Sequence, residues 1–357
     1  MSPEPAEQAP ADRKEAKRDS LPILAITQGD PAGIGPEILL RLVSEWRGGA
    51  GWVPLLVAER AALEAVRDCV PGAVWRRLSE VGSSVTRAAL IGAGDAIPLL
   101  DPVARSREVV PGAPGRADAE GAMAAIDQAL EVVRGGLGDA MVTAPIAKKP
   151  IAEMLIPGFR GHTDYLAERC GLERYGRDYL MAFLAGTLRV ALVSAHLPLR
   201  TALDELSVDR IVEAGRCLAE HALGGGRLVV PGVNPHAGEG GLLGREDEEI
   251  VRPAVERLCA LGVDAHGPAS ADSVFARARR GEYDWVLALY HDQGLIAVKT
   301  AAFGAATNWT VGLPILRTSV DHGTAPDLAG KGRADAGPMK AAVATTLELL
   351  ERGRRGP

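Results

Sequence analysis

Seven histidines are spread over 357 residues, and three of them follow apolar runs directly: His196 after LRVALVSA, His236 after RLVVPGVNP and His291 after YDWVLALY. Strand ends of one parallel sheet converge on one face, where ligands of open α/β sheets bind. Three imidazoles with an open fourth position make a catalytic rather than a structural metal site. Such an ion polarises a hydroxyl or carbonyl oxygen and stabilises an enolate. Zinc suits the set best, and cobalt, nickel and manganese are compatible with it. The long separations mean that no short metal motif joins the three. Asp272 and Asp292 lie near these histidines in sequence, as residues that could orient an imidazole or shuttle a proton. His221 falls inside a helical pattern and His266 in an expected loop, both at the surface.

A second set suits an anion. Lys299 closes HDQGLIAVK, Asn308 opens NWTVGLP, Arg317 sits in ILRTSVDHG, and His162 and Thr163 stand together in GFRGHTD. Both cations interrupt apolar, Gly-punctuated stretches and could neutralise a phosphate or carboxylate. Two loops rich in small residues complete the inventory. Gly29 to Glu37 joins a strand pattern to a helix pattern, so free N–H groups at the helix start could hold an anion, although the spacing is no dinucleotide fingerprint. Asp321 to Gly332, DHGTAPDLAGKG, would let a backbone approach a ligand closely. Either loop reads equally as a plain turn.

Positioning these residues requires a sheet with crossover helices. Short apolar runs at 23–27, 53–57, 140–143, 188–194, 228–233 and 285–290 alternate with amphipathic stretches, which predicts an α/β fold with a largely parallel sheet. The helices expected between them start at Pro36, run over 118–134, begin after an N-cap at Ser207, cover 246–261 with a kink at Pro253, and span 338–352.

A formal net charge of -6 removes the basic surface expected of a nucleic-acid partner. No apolar run approaches the ~20 residues that span a bilayer, and residues 1–20 read as a disordered polar tail rather than a signal peptide. Four scattered cysteines without a C-x-x-C pair fit a reducing compartment, so a cytoplasmic protein is expected.

The stretches ITQGDPAGIGPE, GHTD, AHLPLR, NPHAGEGG, GPASADSVF, YHDQGL, NWTVGLP and RTSVDHGTAPDLAGKG, running from about residue 23 to 350, resemble the 4-hydroxythreonine-4-phosphate dehydrogenase family of vitamin B6 biosynthesis. HGTAPDLAGKG also resembles the cofactor loop of isocitrate and isopropylmalate dehydrogenases. The resemblance implies two α/β/α lobes around a central cleft, in a homodimer whose active sites lie at the subunit interface. The first lobe is expected at 21–145 plus 305–355 and the second, with the metal ligands, at 146–304. His196, His236 and His291 would be the ligands of a divalent metal (zinc, or magnesium or cobalt), one of them supplied across the dimer. His162, Thr163, Lys299, Asn308 and Arg317 would contact a phosphorylated small-molecule substrate, and Gly323, Thr324, Ala325 and Asp327 would line the NAD (or NADP) site. The implied reaction oxidises the C3 hydroxyl of 4-phosphohydroxythreonine and releases carbon dioxide. Four positions depart from the family pattern: Asp164 stands for Glu, Ala144 for Gly, Ser273 for Thr, and Trp309 is a bulky variant. They leave a four-carbon sugar-acid phosphate as the alternative substrate. A phosphate acyltransferase of the same fold would need no three-histidine site, and a binding protein without activity would need no complete set of polar residues.

Overall fold

The structure, a computed structural model, describes residues 21–355, so the expected tail at 1–20 lies outside the described residues. It is a mixed α/β protein of two compact units. The first holds the described chain up to Ala147 together with Thr324–Ala334; the second holds Lys148–Gly323 and the described chain from Asp335.

In the first unit the chain runs β1 (Ile23–Thr27), α1 (Gly35–Glu45), β2 (Val53–Val57), α2 (Arg60–Ala65), β3 (Leu78–Glu80), α3 (Arg87–Gly92), β4 (Ile97–Leu100), α4 (Arg116–Arg134) and β5 (Ala140–Thr143). The strands are parallel in the order β3-β4-β2-β1-β5. All five residues of β1 are buried, as befits a strand flanked on both sides, and this is why ILAIT is apolar throughout rather than alternating. Helix α4 packs on β1 and β5 through a stripe of Ala119, Ala122, Ala125, Ile126 and Ala129. The Gly115 N–H donates to Asp118 Oδ2 at 2.8 Å, which satisfies one of the donors at its start.

The second unit continues with α5 (Lys148–Met154), α6 (His162–Arg169), β6 (Leu180–Ala185), β7 (Leu188–Leu192), α7 (Leu199–Asp204), α8 (Val208–Leu218), β8 (Leu228–Pro231), α9 (Arg252–Ala260), β9 (Ala265–Ala269), α10 (Ala271–Arg279), β10 (Trp285–Ala288), α11 (His291–Ala302), β11 (Thr307–Val311), β12 (Arg317–Val320) and α12 (Gly337–Arg355). Its strand order is β12-β11-β6-β7-β10-β8-β9. The β7-β10-β8-β9 half is parallel, as expected, whereas β12-β11-β6-β7 is antiparallel. The antiparallel half starts at a two-residue turn, Gly186-Thr187, with Gly186 at φ +64°, a conformation that suits the twist of a tight hairpin.

Period-two alternation feeds the two faces of this sheet into separate cores. Leu180, Ala182, Ala191, Leu228, Trp285 and Leu287 pack with Ile211 and Val212 of α8 and Leu258 of α9. Their neighbours Met181, Phe183, Val190, Leu192, Val229 and Val286 pack with Val274 of α10 and Leu295 and Val298 of α11. The result is an α/β/α sandwich. Truncating any one of these large side chains to Ala costs about 2–5 kcal/mol.

Several expectations change here. Residues 305–323 and 335–355 belong to the second unit rather than the first, because β11 pairs with β6 and α12 packs on β11 and β12; only Thr324–Ala334 returns to the first. The break expected at Pro253 is a π-helical turn, Asp247–Val251, with Pro253 in the first turn of the α-helix that follows, where its missing N–H is harmless. Ser207 caps α8 as expected, accepting from the Arg210 N–H at 3.3 Å. His266 lies in strand β9, not a loop, exposed and paired with Asp264 at 2.9 Å.

Candidate active site

The parallel pairing of β7 with β10 brings two of the three histidines together. The strands are in register, with Val190 opposite Val286 and Leu192 opposite Ala288, so both finish at the same edge. His196 follows four residues after β7 and His291 opens α11 three residues after β10. Their ring centroids are 5.4 Å apart. The pair adjoins two open cavities, one of about 190 Å³ lined by Ala195, His196, Leu199, Tyr290 and His291, the other of about 420 Å³ lined by His291, Leu295, Lys299 and Phe303.

The surroundings of His196 favour a neutral imidazole. Desolvation lowers the pKa of His196, and the nearby Lys148 ammonium and His291 lower it further against an opposing pull from Asp164. Neutral imidazole is the form that binds a metal. At His291, Nδ1–H donates to Asp292 Oδ1 at 2.7 Å. A carboxylate can only accept here, so the bond fixes the tautomer and leaves Nε2 with its lone pair outward.

His236 stands apart. Five consecutive residues, His236 to Gly240, adopt left-handed backbone, φ +45° to +76°, and His236 itself is exposed. The buried Asp247 carboxylate holds the start of this loop, accepting from the Val233 and Asn234 N–H groups at 2.7 and 3.0 Å. His236 Nδ1 lies 3.8 Å from Asp272 Oδ2. Asp272 therefore accompanies His236, and Asp292 accompanies His291. Among the described residues no three His, Cys, Asp or Glu side chains surround one point within a single chain. Strand-end reasoning placed three imidazoles in one cleft; the left-handed loop carries the third away.

The anion-compatible residues form a second group in the same unit. Arg317 opens β12 and is 1% exposed. Its Nη1 donates to Thr310 Oγ1 at 3.0 Å, and that hydroxyl lies 3.4 Å from Thr163 Oγ1. Burial draws the guanidinium pKa down to about 9, which still leaves it charged at neutral pH. His162 opens α6, and its pKa is pushed well down by burial, then by Arg317 and Lys148. The His162 Nε2 and Asn308 Oδ1 atoms are buried without a hydrogen-bond partner among the described residues, an arrangement that favours a polar ligand. Lys299 reaches Asp321 Oδ2 at 3.8 Å from α11.

Sequence reasoning missed Lys148 and Thr310, and took Asp321 only as the start of a small-residue loop. Thr310 was within reach, since it lies two residues from Asn308 on the same face of β11. Lys148 gave no signal beyond following a strand end. The departures at 309, 164, 273 and 144 also find places. Trp309 points to the opposite face, packing on Trp285 at 6.3 Å between centroids, so it leaves the Asn308 and Thr310 side untouched. Asp164 accepts from the Tyr179 hydroxyl at 3.0 Å, Ser273 donates to the Ser270 carbonyl at 3.3 Å, and Ala144 is fully buried.

In the first unit, the 29–37 loop is a packed turn rather than an anion cradle. The Asp30 N–H donates to Pro145 O, Ala32 N–H to Asp30 Oδ1, Gly33 N–H to Asp30 O and Ile34 N–H to Thr324 O. Gly29 is required: its φ is +68°, and a Cβ there would lie 2.2 Å from Pro145 O. Thr324, Ala325 and Asp327 stand in a loop held to the start of α1. The fully buried Glu37 carboxylate accepts from the Gly332 and Ala334 N–H groups at 3.3 and 2.9 Å and from Arg41 at 2.9 Å. Ala325 sits at φ +40°, and Asp327 is exposed. Gly323 falls in the second unit.

Residues 52–346 match the family described as pyridoxal phosphate biosynthetic protein PdxA. The chain is 42% identical over 340 residues to a 4-hydroxythreonine-4-phosphate dehydrogenase of Aromatoleum aromaticum, covering 93% of this chain and 97% of the other. It is 42% identical over 345 residues to one of Chromobacterium violaceum, covering 94% and 99%. Among solved structures, a 4-hydroxythreonine-4-phosphate dehydrogenase from Klebsiella pneumoniae superposes with TM-score 0.78 at 31% identity, over 92% of this chain and 99% of that one. A terephthalate 1,2-cis-dihydrodiol dehydrogenase from Burkholderia xenovorans LB400 gives 0.58 at 27% identity, over 91% and 97%. No helix among the described residues is long and apolar enough to cross a membrane.

Proposed function

The chain belongs to the family of pyridoxal phosphate biosynthetic protein PdxA, and on that premise we propose that it oxidises the C3 hydroxyl of 4-phosphohydroxy-L-threonine with NAD or NADP. Loss of carbon dioxide then gives 3-amino-2-oxopropyl phosphate. The observation that carries this reading is the pair of imidazoles, His196 and His291, 5.4 Å apart in the unit that also buries the Arg317 guanidinium on Thr310. His196 and His291 would hold a divalent ion, zinc first and magnesium or cobalt after it, with His236 of a second copy as the third ligand in a homodimer. The exposed apolar residues Leu199, Ile296 and Phe303, in the segments that carry these histidines, support burial of this face by that second copy. An ion held there would supply positive charge to a substrate hydroxyl oxygen, and a bound nicotinamide would supply the hydride acceptor.

The chain's own residues supply position and charge. Arg317, Thr310, Thr163 and His162 take the phosphate, with Asn308 and Lys299 completing its shell. Neutral His162 can donate to a phosphate oxygen while Arg317 carries the charge. Asp292 orients His291, and Asp272 does the same for His236. Gly323, Thr324, Ala325 and Asp327 line the cofactor side, on a loop that Glu37 makes rigid. The names of the relatives do not favour the sugar-acid phosphate alternative.

The test is NADH formation by metal-stripped and zinc-restored protein, with 4-phosphohydroxythreonine beside threonate and erythronate 4-phosphates. Zinc-dependent turnover fastest on the amino acid is expected. Equal rates in stripped protein would refute the metal assignment, and preference for a sugar acid would refute the substrate.

A further inference from the structure

The first unit joins β4 to α4 by residues 101–115, which carry neither helix nor strand. Irregular connections this long are uncommon in a compact unit and are usually functional when they are ordered. This one is pinned along its length. Asp101 Oδ1 accepts from the Val103 and Ala104 N–H groups at 2.9 and 2.8 Å. Val109 is buried with Ala32 and Ala62, and the Gly112 N–H donates to Ala32 O at 2.7 Å. Between these points Arg107 turns inward, its side chain 11% exposed.

The Arg107 guanidinium is used on three sides. Its Nε and Nη2 donate to Glu59 Oε2 and Oε1 at 2.6 and 2.9 Å, and its Nη1 donates to Asp118 Oδ1 at 2.8 Å. Glu59 lies two residues beyond β2 and Asp118 in the first turn of α4, so one side chain ties the segment to two elements at once. Neighbouring residues are fitted to this cluster. A Cβ at Gly121 would lie 1.8 Å from Glu59 Oε1, and Gln28 Oε1 accepts from the Glu59 N–H at 2.8 Å. Lysine, a point charge without the planar fork, cannot make the three bonds together.

Beyond Arg107 the segment lies against the 324–334 loop. A Cβ at Gly330 would fall 2.7 Å from Pro111 Cβ, and one at Gly112 would fall 2.9 Å from Pro326 O. Both glycines have left-handed φ, +70° and +86°, so nothing but backbone separates the two stretches at these points. Glu37 holds the loop at Gly332 and Ala334, while Pro111 and Gly112 support it at Gly330 and Pro326. We propose that Arg107 is a positioning residue for the nicotinamide cofactor. It fixes residues 107–112, and Pro111 and Gly112 in turn fix the 324–330 backbone that receives the dinucleotide. The inference rests on the reading above, in which Thr324, Ala325 and Asp327 line the cofactor site. A loop held in place before binding loses less freedom when the cofactor arrives, and that difference appears as affinity.

The experiment compares zinc-loaded wild type with Arg107→Met, Arg107→Lys, Gly112→Ala and Glu37→Gln. The readouts are NADH and NADPH affinity by fluorescence titration, KM for the dinucleotide and for the phosphorylated substrate, and melting temperature. Misplacing a binding surface costs up to ~10²-fold, so Arg107→Met should weaken dinucleotide binding by about 10–100-fold while the KM of the phosphorylated substrate holds. Arg107→Lys should recover part of that loss. Gly112→Ala leaves the three bonds of Arg107 in place and pushes on Pro326, so it should show the same selective loss even if Arg107→Met does not fold. A purely structural arginine would lower the melting temperature and leave the dinucleotide affinity of the folded protein unchanged, and that result overturns the inference. So does an equal rise in both KM values, or a wild-type affinity in Gly112→Ala. If Glu37→Gln weakens dinucleotide binding and the Arg107 and Gly112 variants do not, the inference fails and the cofactor reading stands. If no variant alters binding, both fail.

Discussion

Replacing Arg317 with Met should separate substrate binding from stability in opposite directions. The guanidinium is 1% exposed, and burial holds its pKa at about 9, well under the ordinary arginine value. At 1.36 kcal/mol per tenfold, that depression corresponds to roughly 5 kcal/mol of disfavoured charge. A base whose folded pKa is lowered carries this cost in full below the folded value, and so throughout neutral pH. Local hydrogen bonds such as that to Thr310 offset part of it, and a methionine of similar length removes both the charge and the bond. The melting temperature of Arg317→Met without substrate should therefore equal or exceed that of wild type. Substrate binding should suffer instead. Two charge-assisted hydrogen bonds to phosphate, at about 1.5–3 kcal/mol each, give an expected loss on the order of 10²–10⁴-fold in kcat/KM, mostly as raised KM. Thermal melting with and without inorganic phosphate provides the second readout: wild type should rise with phosphate and the variant should not. A variant that melts well below wild type yet keeps its KM would show that Arg317 holds the fold together and binds nothing.

Subunit complementation tests the split among the histidines. Mixing inactive His196→Ala with inactive His236→Ala and reassorting the dimers should restore about a quarter of wild-type activity, since half the dimers are hybrids with one intact site of two. His196→Ala mixed with His291→Ala should restore none; equal recovery in both mixtures would contradict donation of His236 by a partner. Glu37→Gln should weaken the anchoring of the 324–334 loop by about 1–3 kcal/mol and raise KM for the nicotinamide more than for the phosphorylated substrate. An unchanged cofactor KM would detach that loop from cofactor binding. Burial raises the Asp30 pKa to about 6, so the folded state holds a proton that the unfolded chain releases near 4. Stability from this residue falls as pH rises through that window, by roughly 3 kcal/mol in all. Asp30→Asn, which keeps the bond to the Ala32 N–H, should gain on wild type in urea midpoint at pH 7.5 but not at pH 4; parallel pH curves would refute it.

The sequence revealed β1, β2, β5, β7, β8 and β10 because each is covered on both faces and reads as an unbroken apolar run. Strands β11 and β12 escaped notice because they are rich in polar residues: TNWTV and RTSV bury Thr310 and Arg317 against each other, and a buried arginine does not resemble a strand residue. Strand β4, with Pro98 inside it, and the three-residue β3 gave too weak a pattern. His196 and His291 were legible for a geometric reason, since neighbouring parallel strands in register deliver their following residues to one place. His236 follows the same sort of strand, but the backbone beyond it turns left-handed, which no pattern of residue types announces. Lys148 was missed because an exposed lysine is ordinary until its neighbours are known.

Strand β11 carries a consequence for how this site can drift over generations. Under the proposed function its even-numbered positions, 308 and 310, answer to the ligand, while 309 packs on Trp285 and the core behind it. The middle letter of the N-x-T triplet can therefore vary with its packing partner at no chemical penalty, whereas its two flanking letters cannot. A bulky residue at 309 is a record of how that core filled its space, and the two histories written along one strand remain independent because successive side chains never share a face.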